Sequence, residues 1–319
     1  MVDLTTDLAG RTLPNPVMTA SGCAANGKEL QRFFDIAGLG AFVTKTVMPA
    51  PRSGRGTPRM AETPSGMLNS IGLQGPGIDV FADEDLPWLA HVGARVLVSI
   101  AGGTPDEFAA VATRLLESPA AGSVAGIEVN ISCPNVASRG LVFAIDPVAS
   151  AAVVAAVRGA VPATVPVFAK LSPDVTDLVT VAGACLGAGA DGLTLINTTL
   201  GMAIDVDRMR PHLGGITGGL SGPAIRPIAV RAIWQVRSAM YAGRLPTAPI
   251  IGVGGVASGR DALELAAAGA SAIQVGTATF HDPSAPARVL SELAEALDTR
   301  GYAAFADVVA AAHPERRIT

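Results

Sequence analysis

Aromatic side chains are scarce in this chain: two Trp, two Tyr and nine Phe make up 4% of 319 residues. A core with so few rings must be filled by Ala, Val, Leu and Ile, and the 49% hydrophobic content is enough for a large one. Charge is sparse too, at 16%, and the net charge of −4 lacks the basic footprint of a nucleic-acid-binding protein. There are three cysteines, Cys23, Cys133 and Cys185, odd in number, widely spaced and without a CxxC pair. That pattern argues against a disulfide framework and a structural zinc site. An iron–sulfur cluster takes about four cysteine ligands, more than this chain has. Long apolar runs are missing as well. Mean hydropathy is high at +0.42, yet the longest strongly apolar stretch, Pro147 to Val157, is bounded by Asp146 and Arg158. It falls short of the roughly 20 residues that cross a bilayer. The opening segment MVDLTTDLAGRTL has no basic region followed by an apolar one, so it does not read as a secretory signal. The expectation is a cytoplasmic protein that binds neither membrane nor nucleic acid. HExxH, G-x-S-x-G and paired-carboxylate motifs are also absent.

What the chain does have is a regular alternation. Short apolar, β-branched runs occur at 16–19, 41–44, 95–100, 126–131, 165–171, 192–196, 249–253 and 272–275. Alanine-rich segments with helical spacing lie between most of them, at 105–116, 147–160, 175–186, 224–240, 260–268 and 283–297. Thr104, Asp146, Asp174 and Ser258 stand where helix N-caps belong, and Pro105, Pro147 and Pro283 suit the first turn. Eight strands evenly interleaved with helices predict one (β/α)8 barrel, a TIM barrel, spanning residues 1–319 as a single domain. A doubly wound sheet is the alternative. Long insertions follow the second strand (47–87, rich in Pro, Gly and Arg) and the sixth (198–222, rich in Gly). Loops of that length in a compact domain are usually lids or binding loops.

The chemistry collects where these strands end, which in such a barrel is the active face. Ala20 and Ser21 follow the first strand and Lys45-Thr46 the second. Asn130 and Cys133 follow the fourth, Lys170 and Ser172 the fifth, and Asn197-Thr198 the sixth. Burying a lysine charge without a partner is costly. Lys45 and Lys170 therefore point to an anionic or electron-rich ligand, although an ion pair between Lys170 and Glu128 would also explain the latter. The segment Asn130-Ile131-Ser132-Cys133-Pro134-Asn135 packs two amides, a hydroxyl and a thiol into six residues. A polar loop closed by proline is a poor place to bury a thiol for packing, so Cys133 is a candidate base and Ser132–Gly140 a candidate lid. After the last two strands, Gly252-Val253-Gly254-Gly255 and Gly276-Thr277 offer backbone N–H groups to a phosphate. No GxGxxG with a distant acidic residue accompanies them, so this is not a dinucleotide fingerprint. Of the four histidines, only His212 falls on the active face.

These residues carry a resemblance. NPVMTASG (15–22), TKTV (44–47), PRMAETPSGMLNSIGLQGPG (58–77) and EVNISCPN (128–135) resemble dihydroorotate dehydrogenases of the soluble class 1 type. So do KLSPDV (170–175), INTTLGMAID (196–205), GGLSGPAIRP (218–227) and GVGGV (252–256), and together they cover nearly the whole chain. GMAID and GITGGLSGPAI look most like the class 1B catalytic subunit. The resemblance implies one FMN per chain, its phosphate on the backbones of Gly254, Gly255, Gly276 and Thr277, with Gly222 nearby. It implies flavin contacts from Ala20, Ser21, Lys45, Thr46, Asn130 and Lys170. The pyrimidine would be held by Lys45, Asn69, Asn130, Asn197 and Thr198, with the backbone at Gly72 and Leu73. Cys133 would remove the C5 proton of dihydroorotate while the C6 hydride goes to FMN. Gly103 departs from the asparagine that some members place near the flavin.

The membrane-bound class, marked by a serine base and an N-terminal extension, is set aside by Cys133 and the lack of that extension. A class 1B subunit passes its electrons to NAD through a partner with FAD and a 2Fe-2S cluster, which implies a homodimeric core within a heterotetramer. Three alternatives remain open. One is a class 1A homodimer that reduces fumarate. Another is a dihydropyrimidine dehydrogenase-like subunit, and the third is a non-redox barrel that binds a phosphate ligand.

Overall fold

The computed structural model describes residues 2–131 and 143–318. The chain opens with a hairpin, β1 (Thr6–Leu8) and β2 (Arg11–Leu13), followed by two strands, β3 (Val17–Thr19) and β4 (Phe42–Val43). A second hairpin, β5 (Met60–Thr63) and β6 (Gly66–Asn69), leads into a helical stretch, α1 (Ile78–Val80) and α2 (Leu86–His91), joined by a π-helical turn. Then come β7 (Val96–Ile100), α3 (Pro105–Leu116), β8 (Val124–Asn130), α4 (Pro147–Ala160), β9 (Val167–Leu171), α5 (Leu178–Gly187) and β10 (Gly192–Leu195). The short strands β11 (Thr199–Gly201), β12 (Ile204–Asp205), β13 (Arg210–Pro211) and β14 (Gly218–Ser221) precede α6 (Arg226–Tyr241). The chain continues through β15 (Ile250–Val253), α7 (Gly259–Ala267), β16 (Ala272–Val275) and α8 (Ala285–Thr299).

Eight strands form one parallel sheet in the order β3-β16-β15-β10-β9-β8-β7-β4, which is chain order run around a ring. The seam between β3 and β4 is closed by a backbone bridge from Met18 to Ala41, with the Gly40 N–H donating to the Val17 carbonyl at 2.9 Å, and by a side chain. Thr19 Oγ1 donates to the Val43 carbonyl (3.1 Å) and accepts from the Val43 N–H (2.8 Å). The expected (β/α)8 barrel is therefore the fold. Two apolar layers hold it together. The larger lies between barrel and helices, where the buried faces of α3 to α8 meet outward-facing Val, Ile and Leu. The smaller fills the barrel itself with Met18, Ala41, Val43, Leu97, Phe168, Ile251 and Ala272, and Leu8 and Leu13 of the β1–β2 hairpin join it. A single large ring, Phe168, fits because Gly126 and Gly192 face it: a Cβ would lie 3.3 Å from its ring at the first and 2.7 Å at the second.

Helix starts follow local chemistry. Thr104, Asp146 and Ser258 each accept a backbone N–H in the first turn of α3, α4 and α7, as expected of caps. Two expectations are corrected. The cap of α5 is Asp177, which accepts from Val179 and Thr180, so this helix begins at Leu178 and not at 175. Asp174 instead holds the strand-six insertion, accepting from the Leu200 N–H at 2.8 Å and from the Thr199 hydroxyl. Pro283 lies ahead of α8, whose first turn carries Pro286. The insertion expected at 47–87 also ends sooner, because its last part is the helix α1–α2.

The two insertions share one structure. β5 and β6 from the first and β11 and β14 from the second make a four-stranded antiparallel sheet, in the order β11-β14-β6-β5. Both segments leave from C-terminal ends of barrel strands, so this sheet belongs to the active face. No described helix is long and apolar enough to cross a membrane.

Candidate active site

Polar side chains at the ends of β3, β4, β7, β8 and β10 link into one network. Ser21 Oγ lies 3.0 Å from Thr46 Oγ1, which lies 3.1 Å from Ser99 Oγ. The Asn130 side-chain amide donates to Thr46 Oγ1 (3.0 Å), and its oxygen accepts from the Asn197 amide at 3.3 Å. Asn197 in turn accepts the Thr198 N–H at 2.8 Å. Asn130 and Thr46 are buried. An amide held at both ends in this way has a fixed orientation, as recognition of a planar ligand requires.

Lys45 reaches the same region from β4: a Cβ on Gly22 would lie 3.6 Å from its ammonium. Lys170 ends β9 beside Asn130, its register partner on β8. The ion pair weighed from sequence is present, with Lys170 Nζ 3.2 Å from Glu128 Oε1 and both side chains buried. Glu128 Oε2 accepts from the Gln274 amide at 2.8 Å. Among the described residues Lys170 has no second partner, so two of its three N–H groups find no acceptor there. The Gln274 oxygen and the Thr194 hydroxyl, both buried, also lack a partner among the described residues. Cys23 belongs to this neighbourhood, since a Cβ on Gly276 would touch Ala20 at 3.2 Å and Cys23 Sγ at 3.4 Å. Burial pushes the Cys23 thiol up to about 11 against the opposing pull of Lys170 and Lys45. That shift keeps the thiol protonated at neutral pH, which does not suit it to act as a second base.

Beside these groups the chain makes a cradle from backbone. Gly254, Gly255 and Gly222 have φ of +137°, +72° and +86°. At Gly255 a Cβ would lie 2.6 Å from Arg226 Cβ and 2.9 Å from Arg226 N, so the β15 end lies directly against the start of α6. The N–H groups of Gly254, Gly255 and Gly276 donate to no backbone carbonyl among the described residues. Thr277 Oγ1 donates to Ser221 Oγ at 2.8 Å, beside Gly222. Arg226, which lies against Gly255, is committed to Asp261 and Glu264 of α7. An anion placed here would be met by backbone N–H groups and hydroxyls.

The shared sheet of the insertions brings in the remaining candidates. The Asn69 amide donates to the Gly219 carbonyl at 3.3 Å, and Gly219 packs so tightly on Thr198 that a Cβ would overlap its hydroxyl. Asn69 and Thr198 thus both touch Gly219 of β14, and Thr198 follows Asn197 of the Asn130–Asn197 bond. Gly72 and Leu73 take consecutive left-handed conformations, φ +79° and +54°, which turn the backbone after β6. Cys133 and the segment Ser132–Gly140 lie outside the described residues. Gly103, at the end of β7, donates its N–H to Glu107 at 2.7 Å. His212 follows β13 on the exposed part of the second insertion.

Comparison with known proteins gives this constellation its context. The family model for dihydroorotate dehydrogenase matches residues 3–297. The chain belongs to the dihydroorotate dehydrogenase family. It is 51% identical over 309 residues to a protein of Pelobacter propionicus named dihydroorotate dehydrogenase B (NAD(+)), catalytic subunit, spanning 97% of this chain and 98% of that one. Proteins with the same name from Geotalea daltonii (49% identical, 97% and 98% covered) and Desulforudis audaxviator (50% identical, 96% of each) are similar to the same extent.

Within this dihydroorotate dehydrogenase fold, sequence reasoning overlooked Ser99, Ser221, Gln274 and Cys23. A signal was available for Gln274, the one polar residue in the otherwise apolar β16 sequence AIQV. Ser99 and Ser221 gave none, because serine is ordinary at such positions and their neighbours are distant in sequence.

Proposed function

We propose that this chain is the catalytic subunit of an FMN-dependent dihydroorotate dehydrogenase. It oxidises (S)-dihydroorotate to orotate in de novo UMP synthesis, and its electrons reach NAD through a separate flavin and iron–sulfur chain. One observation carries the reading. The linked side chains of Thr46, Asn130 and Asn197 share one barrel mouth with two lysines and a glycine cradle.

FMN suits this donor set. Its phosphate matches the unbonded N–H groups of Gly254, Gly255 and Gly276 and the hydroxyls of Ser221 and Thr277. Its electron-poor ring, with carbonyls along one edge, matches the two N–H groups of Lys170 that no atom of the described residues accepts. Ala20, Ser21, Thr46 and Asn130 complete the flavin side. When bound, FMN supplies the acceptor for the C6 hydride.

The rest of the reaction belongs to this chain's own residues. Lys45 pairs with the substrate carboxylate. Asn69, Asn130, Asn197 and Thr198 satisfy the ring N–H and C=O groups once water is excluded, and the backbone at Gly72 and Leu73 closes the pocket edge. Cys133 takes the C5 proton onto its Sγ. A free thiol titrates near about 8.5, so the fraction ready to act rises as the pH approaches that value.

The partner follows from the cysteine inventory. Cys23, Cys133 and Cys185 are too few for a 2Fe-2S cluster, so the cluster and FAD are assigned to the partner chain. The assembly is a heterotetramer around a homodimer of this chain, in the cytoplasm. Leu200, Met202, Ile204, Val206, Met209 and Ile216 of the second insertion are exposed. An apolar grouping of that kind supports a face covered by protein.

An anaerobic visible spectrum of the purified protein tests the proposal. The expected result is a flavin band that bleaches on adding dihydroorotate and is unmoved by dihydrouracil. Bleaching by dihydrouracil alone would transfer the assignment to the dihydropyrimidine dehydrogenase-like reading, and a protein without flavin even after FMN is supplied would overturn it. NAD reduction should require the partner chain. Fumarate reduction by this chain alone would replace the NAD-linked assignment.

A further inference from the structure

Glu128 lies wholly buried inside the barrel, where a carboxylate is stable only if paired and hydrogen-bonded. Its two oxygens are divided. Oε1 faces the Lys170 ammonium at 3.2 Å and Oε2 accepts from the Gln274 amide at 2.8 Å. In the ring of eight, β8 and β16 are diametrically opposite, four strands apart in either direction. The Gln274–Glu128 bond therefore spans the lumen, and Gln274–Glu128–Lys170 is a single chain across the barrel. Its apolar alternative is the layer below, with Met18, Val43, Leu97 and Phe168. Gln274 donates to Glu128 while its own oxygen has no donor among the described residues. Packing alone would not select a glutamine there, because a buried, half-satisfied amide is worse than an apolar side chain.

We propose that Glu128, held by Gln274, is a positioning residue and fixed counter-charge for Lys170, and that it sets the reduction potential of bound FMN. The inference rests on the FMN reading above. The Lys170–Glu128 pair presents no net charge to the flavin. Bound flavin gains negative charge on reduction, so its reduction equilibrium reports the charge beneath it. Glu128→Gln leaves an uncompensated ammonium and favours the reduced form. Lys170→Gln leaves an uncompensated carboxylate and favours the oxidised form. The Glu128→Gln side chain has the same shape, and Gln274 can turn its amide so that the unpaired oxygen accepts the new NH2.

The test is the midpoint potential of the flavin-loaded protein, equilibrated with a redox dye of known potential and without substrate. Glu128→Gln should shift the equilibrium at least tenfold toward reduced flavin, about 30 mV positive for a two-electron couple. Lys170→Gln should shift it in the opposite direction, and the double variant should return to within about threefold of wild type. A Glu128→Gln protein that retains FMN at the wild-type potential overturns the proposal. If that variant loses its flavin, the charge of Glu128 is read from the other arm. The double variant should be reduced at least tenfold more readily than Lys170→Gln, and equal potentials would overturn the proposal. A purely structural role would lower the unfolding temperature without moving the potential. Absence of flavin from the wild type would defeat the FMN reading itself, whereas dihydroorotate-bleachable wild type with an unmoved Glu128→Gln potential would defeat only this inference.

Discussion

Gly255→Ala tests the phosphate cradle most directly. Its φ of +72° is a conformation that costs a residue with a Cβ about 1–2 kcal/mol. The added methyl would also lie 2.6 Å from Arg226 Cβ and 2.9 Å from Arg226 N. Relieving that contact means moving the start of α6, because one of the two atoms is backbone. Forced overpacking of this kind typically costs about 1–3 kcal/mol, so the total is about 2–5 kcal/mol. A chain of 319 residues unfolds with an entropy of about 0.7 kcal/mol/K, so the unfolding midpoint should fall by about 3–7 °C. Gly243→Ala is the control: φ is +68°, but nothing lies within 4 Å of a Cβ there. It should show the backbone cost alone. The assay is thermal unfolding of both variants without FMN, followed by FMN titration. Gly255→Ala should also bind FMN more weakly, since the N–H groups of Gly254 and Gly255 move with the β15 end. Gly255→Ala melting no lower than Gly243→Ala, with FMN bound as tightly as in wild type, would refute the reasoning.

Two further outcomes are expected. Cys133→Ser should keep its FMN yet slow flavin reduction by dihydroorotate by about 10²–10⁴, the usual scale for a general base. Anaerobic stopped-flow spectroscopy measures this, and a near-wild-type rate would remove Cys133 from the role. Burial pushes the Cys185 thiol to about 12 and that of Cys23 to about 11, from 9.0 for an unburied thiol. The unfolded chain therefore releases these protons first, and above pH 9 it binds fewer than the folded one. The thiols' contribution to stability is intact below pH 9 and is lost as the pH rises from 9 towards 12. Unfolding midpoints across that range should fall less steeply in Cys185→Ala, and an identical slope would contradict the burial argument.

The strand count and most of the helix starts were legible in the sequence because they depend on neighbours. Thr104 caps α3 through Glu107, three residues on, and Asp146 caps α4 through Val148. That Ser21, Lys45, Thr46, Asn130, Lys170, Asn197 and Thr198 gather at one end of the barrel was legible for a related reason. In a βα barrel, the residue that ends a strand is already on the functional face. Asp174 shows where that logic stops. By local pattern it is a helix cap, but it binds Thr199 and Leu200 of an insertion that local pattern does not place beside it.

The sequence by itself therefore determined the alternation of elements, the face on which chemistry gathers and, through its motifs, the family. Only the tertiary structure decided that two insertions, more than a hundred residues apart, pair as β6 and β14 and bring Asn69 and Thr198 to Gly219. It alone placed Gln274 opposite Glu128, 146 positions away, so that a carboxylate could be buried beside Lys170. The physical reason is the same in both cases. Caps are settled by hydrogen bonds a few residues long and strands are marked by local apolar runs, whereas these contacts exist only once the ring of strands has closed.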